Sequence, residues 1–376
     1  SQLLKGYGVT VLKGEAQFTS SKEIKITPSK FGGTSETSTA KHFIIASGSR
    51  PIEIPGFKFD EKDIVSSTGA LAWTEIPKRV VTIGGGYIGM ELGTVYATLG
   101  SKVTVIEAME GILAGADPDL VRPVALYAKK AFREVRLKAR VSKISSAGKQ
   151  IRVVSEHDGK TLEELYDRVL VSVGRVPNGQ DLGLENTRVT RDDKGFIQVD
   201  ERMVTTDPNI LAIGDIAGGI MLAHKAAKEA RVAVENLAGE GTAVNRNYVI
   251  PAVVFTDPEV AWVGLTEQEA KQKGIAVEVA KFPWGASGRA LTYDRVDGLT
   301  KLLLEPETHR VLGVGIVGHG AGELIGEGAV AVEMGATAED LAAIVHPHPT
   351  LSETLMESAE AFFGHATHVF AKKKPA

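Results

Sequence analysis

The feature that most constrains this chain is residues 80–107, VVTIGGGYIGMELGTVYATLGSKVTVIE. An apolar run at 80–83 breaks into Gly84, Gly85 and Gly86, and Gly89 follows, so that Gly84, Gly86 and Gly89 spell G-x-G-x-x-G. Residues 87–99 then carry apolar side chains at helical spacing until Gly100 stops them. A second β-branched run at 102–106 ends on Glu107. The pattern predicts strand, tight turn, helix and strand, with an acid at the tip of the second strand. Two such strands joined by a helix lie parallel, so the chain has to build an α/β layer around them.

Each part of that unit has a chemical use. Gly84 permits the tight turn, Gly86 lets a pyrophosphate approach the backbone, and Gly89 lets helix and strand pack closely. The helix N-terminus, from Tyr87 through Ile88 and Met90, offers N–H groups and the positive end of its dipole to phosphates. Glu107 follows at close to the roughly 20-residue spacing of an acid that accepts from a ribose 2′-hydroxyl. A carboxylate there repels a 2′-phosphate, so NAD is expected rather than NADP. The plain alternative is a glycine turn with no ligand. A second glycine-rich run, 314–328, shows what that looks like: Gly318 and Gly320 are followed by Glu323, no acid-tipped strand comes after, and ordinary packing is expected.

The 376 residues suffice for two or three domains with an ample core. Net charge is −4, which points to neither nucleic acid nor an anionic membrane. No apolar run approaches the roughly 18 residues of a membrane span. Lys372, Lys373 and Lys374 read as a solvated end. There is no cysteine, hence no disulfide, thiolate nucleophile or Cys-based metal site within the sequence. His224, His319, His365 and His368 are not spaced as a ligand set, and no metal is expected. The first residues carry no initiator Met, signal or transit peptide and read as cut from something longer.

In chain order, short strands are expected at 9–12, 16–19 and 23–27, a polar loop at 30–40, and a buried strand at 42–46. A helix is expected at 66–72, and another begins at Asp117, with Pro118 at its first position. Strands are expected at 135–144, 150–155, 168–173, 196–199 and 210–213, and a helix at 224–238. From 248 the pattern changes to antiparallel strands at 253–255, 260–264, 276–282, 300–305 and 311–317. Helices follow at 321–334 and 338–344, and the last one ends near 363.

Several stretches together carry a resemblance: VVTIGGGYIGMELG, VSVGRVPN, ILAIGDIAGGIMLAHKA, IPAVVFTDPEVAWVGLTE, KFPWGASGRA and HPHPTLSE. They resemble the flavin-dependent pyridine nucleotide–disulfide oxidoreductases, and among these the lipoyl-oxidising members. The resemblance covers essentially the whole chain. It implies a Rossmann-like NAD domain inserted in an FAD domain and followed by an α+β dimerisation domain. The boundaries are then 1–65 for the first FAD segment, 66–177 for the NAD domain, 178–247 for the return to the FAD domain, and 248–376 for the interface domain. It also implies a homodimer that oxidises dihydrolipoyl groups presented by a 2-oxo acid dehydrogenase complex, through a disulfide and FAD to NAD+. The expected location is a bacterial cytoplasm or an organelle matrix. In that family a first G-x-G-x-x-G and a C-x4-C pair lie in the opening part of the FAD domain. Neither is in this sequence, so an incomplete FAD domain is expected. An inert NAD-binding and dimerising fragment is one alternative. A related NADPH-dependent reductase is another, against which Glu107 argues.

The resemblance also assigns residues. Asp215 is implied to accept from the FAD ribityl chain, with Met221, Leu222, Ala223 and His224 lining the flavin; a helix N-cap is the alternative for the Asp. Ser47, Gly48, Ser49 and Gly14 are implied FAD contacts, where loop glycines are the bare reading. Glu91 is implied to reach the nicotinamide side, and Val141 and Gly174 to touch NAD. His348 is implied as catalytic base with Glu353 as its partner, serving the disulfide of the other subunit. Thr350-x-x-Glu353 is equally a capping box, and His346 and His348 around Pro347 could be loop.

Overall fold

A strand that is apolar along its whole length is buried on both faces, which is the situation of a central strand in a parallel sheet. In the computed structural model, which describes residues 2–28, 34–239, 244 and 249–370, Val80, Val81, Thr82 and Ile83 are all buried. The strand Arg79–Ile83 is central in a five-stranded parallel sheet. The order is Ile64–Val65, Arg168–Val171, Arg79–Ile83, Lys102–Ile106 and Glu134–Arg136. The helix Tyr87–Thr98 connects the two middle strands, with Met90 wholly buried beneath it. An antiparallel sheet of Arg140–Ala147, Gln150–His157 and Lys160–Tyr166 precedes the return strand.

Two expectations change here. The strand expected at 135–144 is two strands, because Lys138 turns left-handed at φ 53 and Ala139 donates its N–H to the Glu107 carbonyl. The alternation of residue types runs through that break without marking it. The strand Lys160–Tyr166 was not expected, since Lys160, Glu163 and Glu164 interrupt its apolar residues; it lies at the sheet edge, where polar residues protect unpaired backbone.

The chain divides into two compact units, residues 51–174 with 248–376, and residues 1–50 with 175–247. In the first of these the nucleotide-type sheet is joined to a five-stranded antiparallel sheet. Its order is Ala252–Val254, Glu259–Gly264, Val311–Gly318, Leu299–Leu304 and Glu278–Pro283. The helices Ala321–Met334 and Glu353–Phe363 pack on that sheet. The helix Pro118–Ala131 joins the two halves: a Cβ on Gly315 would sit 2.5 Å from Leu120 Cδ1, and Val124, Val260 and Val317 share one cluster. The glycine-rich run at 314–328 is indeed packing. Gly318 lies against the Trp284 ring, and Gly328 against Val314. A helix not expected, Glu267–Lys273, opens on a capping box between Thr266 and Glu269 and ends at Gly274.

The other unit holds a three-stranded antiparallel sheet, Gly14–Ser20, Glu23–Pro28 and Glu36–Thr39. Pairing begins at Gly14, so the strand expected at 9–12 does not form there. The loop expected at 30–40 lies partly outside the described residues, as do Lys372–Lys374, and its end is the third strand. Phe43–Ile45 pairs in parallel with Ile210–Ala212, and Phe18 meets Phe43 edge to face. Residues 196–199 form only isolated bridges, Arg191 to Ile197 and Val199 to Thr205. Among the described residues no helix is long and apolar enough to cross a membrane.

Candidate functional site

The glycine turn has the shape a diphosphate requires. Gly84 adopts φ 106, and a Cβ there would meet the Ser172 carbonyl oxygen at 2.5 Å. A Cβ on Gly89 would lie 2.0 Å from the Gly84 oxygen, so only glycine lets the helix close on the strand. Gly86 is different: nothing lies within 4 Å of where its Cβ would be. That open face adjoins the start of the helix Tyr87–Thr98, whose N-cap is Gly86 with no side-chain cap. First-turn N–H groups facing an open space form an anion cradle. Glu107 stands beside it. Its Oε2 accepts from Gly85 N at 2.6 Å and its Oε1 from Met109 N at 2.7 Å. The residues therefore fit a dinucleotide, with a carboxylate beside the cradle.

The other residues expected near NAD each have their own partners. Glu91 is half-buried and its Oε1 accepts from Phe255 N at 2.9 Å. Burial pushes its carboxyl above the ordinary value, and the Phe255 bond offsets this only in part. Gly174 adopts φ 134 and accepts from Ile52 N at 3.0 Å. Val141 packs on the core of the nucleotide half.

His348 and Glu353 form a pair, with Nδ1 to Oε1 at 2.9 Å. Glu353 Oε2 also accepts from Thr350 N at 2.7 Å. The reciprocal half of a capping box is missing: the Thr350 hydroxyl donates to Pro347 O instead, and the N-cap of the helix Glu353–Phe363 is Ser352. Burial alone would raise the Glu353 carboxyl, but the Thr350 N–H and His348 outweigh it and hold it below the usual range. An ionised Glu353 takes the Nδ1 proton as its hydrogen bond. That leaves the Nε2 lone pair on a ring that is 65% exposed. His346 is the opposite case. It is 5% exposed, with Nε2 on Glu327 Oε1 at 2.7 Å and Nδ1 on Ile344 O at 3.0 Å. Both its nitrogens are engaged, which sets it apart from His348.

In the other unit Asp215 lies in the 3-10 turn Gly214–Ala217 and accepts from the Ser49 hydroxyl. It is no cap for the following helix, Ala223–Leu237, whose N-cap is Leu222. Arg175 Nε donates to Ser49 Oγ at 2.7 Å and its Nη2 to Ser49 O at 2.8 Å. Ser47 and Asn178 exchange hydrogen bonds of 2.8 and 2.9 Å. Gly48 sits between them at φ 69, with open space where a Cβ would be. A fixed carboxylate next to an open glycine turn fits the polyol and phosphate groups of FAD. Gly14, by contrast, faces the Thr27 carbonyl across the hairpin. Met221 and Leu222 are partly buried, and Ala223 and His224 exposed, at the start of the helix Ala223–Leu237.

Sequence reasoning missed Arg175, Lys225 and Glu229. Glu229 is buried and accepts from Gly214 N at 2.7 Å, while Lys225 Nζ lies 2.7 Å from Glu229 Oε1. As letters, a Lys and a Glu four apart on a helix read as a solvated pair. Also unforeseen is a cluster of acids around a buried lysine. Asp117, Asp119 and Glu267 could gather a metal, but Lys301 Nζ already stands among them at 2.6, 2.7 and 2.9 Å. Asp117 keeps the N-cap position of its own helix without bonding to it; its carboxylate accepts instead from Glu267 N and Gln268 N.

Comparison with known proteins gives the same picture. Residues 1–230 match the pyridine nucleotide-disulphide oxidoreductase family, and residues 250–359 its dimerisation domain. Dihydrolipoyl dehydrogenase of Geobacillus stearothermophilus is 46% identical over 371 residues, covering 98% of this chain and 78% of that protein. The Vibrio parahaemolyticus dihydrolipoyl dehydrogenase is 44% identical over 374 residues, covering 99% and 78%. Among solved structures, LpdA from Mycobacterium tuberculosis superposes with a TM-score of 0.88 at 28% identity, covering 96% and 79%. The HOCl-induced flavoprotein disulfide reductase RclA of Escherichia coli gives 0.83 at 28% identity, covering 92% and 78%. With both family domains matched along its length and relatives 46% and 44% identical over nearly all of it, the chain belongs to the pyridine nucleotide–disulphide oxidoreductase family.

Proposed function

We propose that this chain is a dihydrolipoyl dehydrogenase, oxidising dihydrolipoyl groups and delivering the electrons to NAD+. The observation that carries the thiol half of this reading is the His348–Glu353 pair. With Glu353 accepting from Nδ1–H, Nε2 of the exposed ring is left to act as the base. Taking one thiol proton there yields a thiolate that attacks a disulfide sulfur. The new S–S bond forms as the old one breaks, and the departing sulfur carries the electron pair. The disulfide comes from outside these 376 residues, which hold no cysteine. Bound FAD and NAD+ supply the two-electron relay from dithiol to nicotinamide. Toward them the chain contributes Asp215, Ser49 and the turn at Ser47–Ser49, and then Gly84, Gly86, Gly89 and Glu107 for the dinucleotide.

The match to a dimerisation domain supports a homodimer in which His348 serves the disulfide of the partner subunit. The dihydrolipoyl group would be presented by the lipoyl domain of a 2-oxo acid dehydrogenase complex. The bacterial relatives support a cytoplasmic location. His348→Gln in the disulfide-bearing enzyme tests the base: turnover of dihydrolipoamide with NAD+ should fall by roughly 10²- to 10⁴-fold. Turnover near wild type removes His348 from that role.

A further inference from the structure

Lys301 has no part in the chemistry above, yet it is among the most deeply buried charges of the chain. It lies on the strand Leu299–Leu304 of the dimerisation half, with no exposed surface. An ammonium has three N–H donors, and here three carboxylates take them, from Asp117, Asp119 and Glu267. Asp117 is 2% exposed and ends the loop 108–116 of the nucleotide half.

That loop leads back to the glycine turn. Ala116 N donates to Leu113 O at 3.2 Å, and Leu113 N donates to Gly85 O at 2.8 Å. Leu113 is 3% exposed and holds φ 53, a left-handed conformation a leucine takes only when its surroundings impose it. Ile112 presses on Gly85 as well: a Cβ there would be 3.0 Å from Ile112 Cγ2. The middle residue of the turn is thus held from two sides, its N–H by Glu107 and its carbonyl by Leu113.

We propose that Lys301 is a positioning residue for the nucleotide site, acting from the dimerisation half through Asp117 and the loop 108–116 on Gly85. This rests on reading the glycine turn as the NAD site. The physical cause is the cost of an unpaired buried charge. Without the ammonium, Lys281 still pairs Asp119 and Glu267, but Asp117, sealed from water, keeps only the N–H groups of Glu267 and Gln268 and no counter-charge. Asp117 then has to move toward solvent, and the loop moves with it. Leu113 N–H leaves the Gly85 carbonyl, and the turn that receives the diphosphate is no longer fixed.

The test is calorimetric titration of NAD+ into the chain as wild type, Lys301→Met and Val263→Ala, at a temperature where circular dichroism shows each folded. Val263 is buried in the same sheet and outside the latch, so it controls for general loss of stability. Lys301→Met should raise the Kd about tenfold, while Val263→Ala leaves it within about twofold. Should Lys301→Met not fold, Lys301→Gln, which keeps a polar chain and removes the charge, carries the same expectation. Amide exchange at Leu113 in the nucleotide-free chain reads the latch without NAD+, and it should quicken in the latch variants only. Unchanged exchange and unchanged Kd in a folded latch variant would overturn the proposal. Faster exchange in a chain whose wild type binds no NAD+ would instead leave the latch standing and overturn the nucleotide reading.

Discussion

The backbone N–H of Gly85 donates to Glu107 Oε2 at 2.6 Å, joining the middle of the glycine turn to the acid at the end of the neighbouring strand. The two lie side by side because Arg79–Ile83 and Lys102–Ile106 pair in parallel, Ile83 against Ile106, so both strands end at one edge. Ligands of open α/β sheets bind at that edge, beyond the carboxyl ends of the strands.

On the proposed reading, Glu107 sets which nucleotide enters. Glu107→Gln keeps an acceptor and removes the charge. NAD+ binding should weaken by roughly tenfold, the worth of a charge-assisted bond. The preference over NADP+ should narrow, because nothing then repels the 2′-phosphate. Titration with both nucleotides checks this.

Gly89→Ala tests the turn itself. The added methyl meets the Gly84 oxygen at 2.0 Å, and neither backbone can yield without opening the helix from the strand. A loss of about 2 kcal/mol or more is expected, in the range of overpacked sites. NAD+ binding should be lost in whatever remains folded. Thermal unfolding with and without NAD+ separates the two effects.

Asp119 makes a prediction about acid. Burial alone would raise its carboxyl, but Lys281 and Lys301 outweigh that and hold it below the ordinary value. A group whose folded pKa is depressed contributes stability above its unfolded pKa, about 3.9. That contribution is lost as pH falls through the lower folded value. Asp119→Asn should therefore lower the Tm at pH 7. The gap from wild type should shrink as the pH is taken from about 5 to below 3. Calorimetry across that range measures it.

The helix Glu267–Lys273 depends on its cap. Thr266 Oγ1 accepts from Glu269 N at 3.1 Å, and Glu269 Oε2 from Thr266 N at 3.3 Å. Thr266→Ala should cost about 1 kcal/mol in chemical denaturation. Glu267 belongs to the Lys301 cluster, so the loss should exceed that of the other capping box, at Thr337, when Thr337→Ala is measured beside it.

What could be read from letters alone follows the reach of each physical signal. The unit at 80–107 was legible because burial on both faces, the turn glycines and the terminal acid all act locally. The break at Lys138 was not, since a single left-handed residue leaves the alternation intact. Lys160–Tyr166 hid behind its charges, which suit an edge strand as well as a loop. His348 and Glu353 could be paired only through resemblance; the bond between them depends on how the chain turns through Pro349. The role of Asp117 lay further off, because a local cap and a cap on a helix distant in sequence use the same side chain. Its partners, Lys301 and Glu267, come from the other half of the unit, and no local pattern announces them.

The central claim is that the turn beginning at Gly84 holds the diphosphate of NAD while Glu107 holds its adenosine ribose. A crystal structure of the chain soaked with NAD+ addresses it most directly. The account predicts diphosphate oxygens over Gly86 at the start of the helix Tyr87–Thr98, and a ribose hydroxyl within about 3 Å of a Glu107 carboxylate oxygen. Density for NAD+ elsewhere, or a ribose out of reach of that carboxylate, would contradict it.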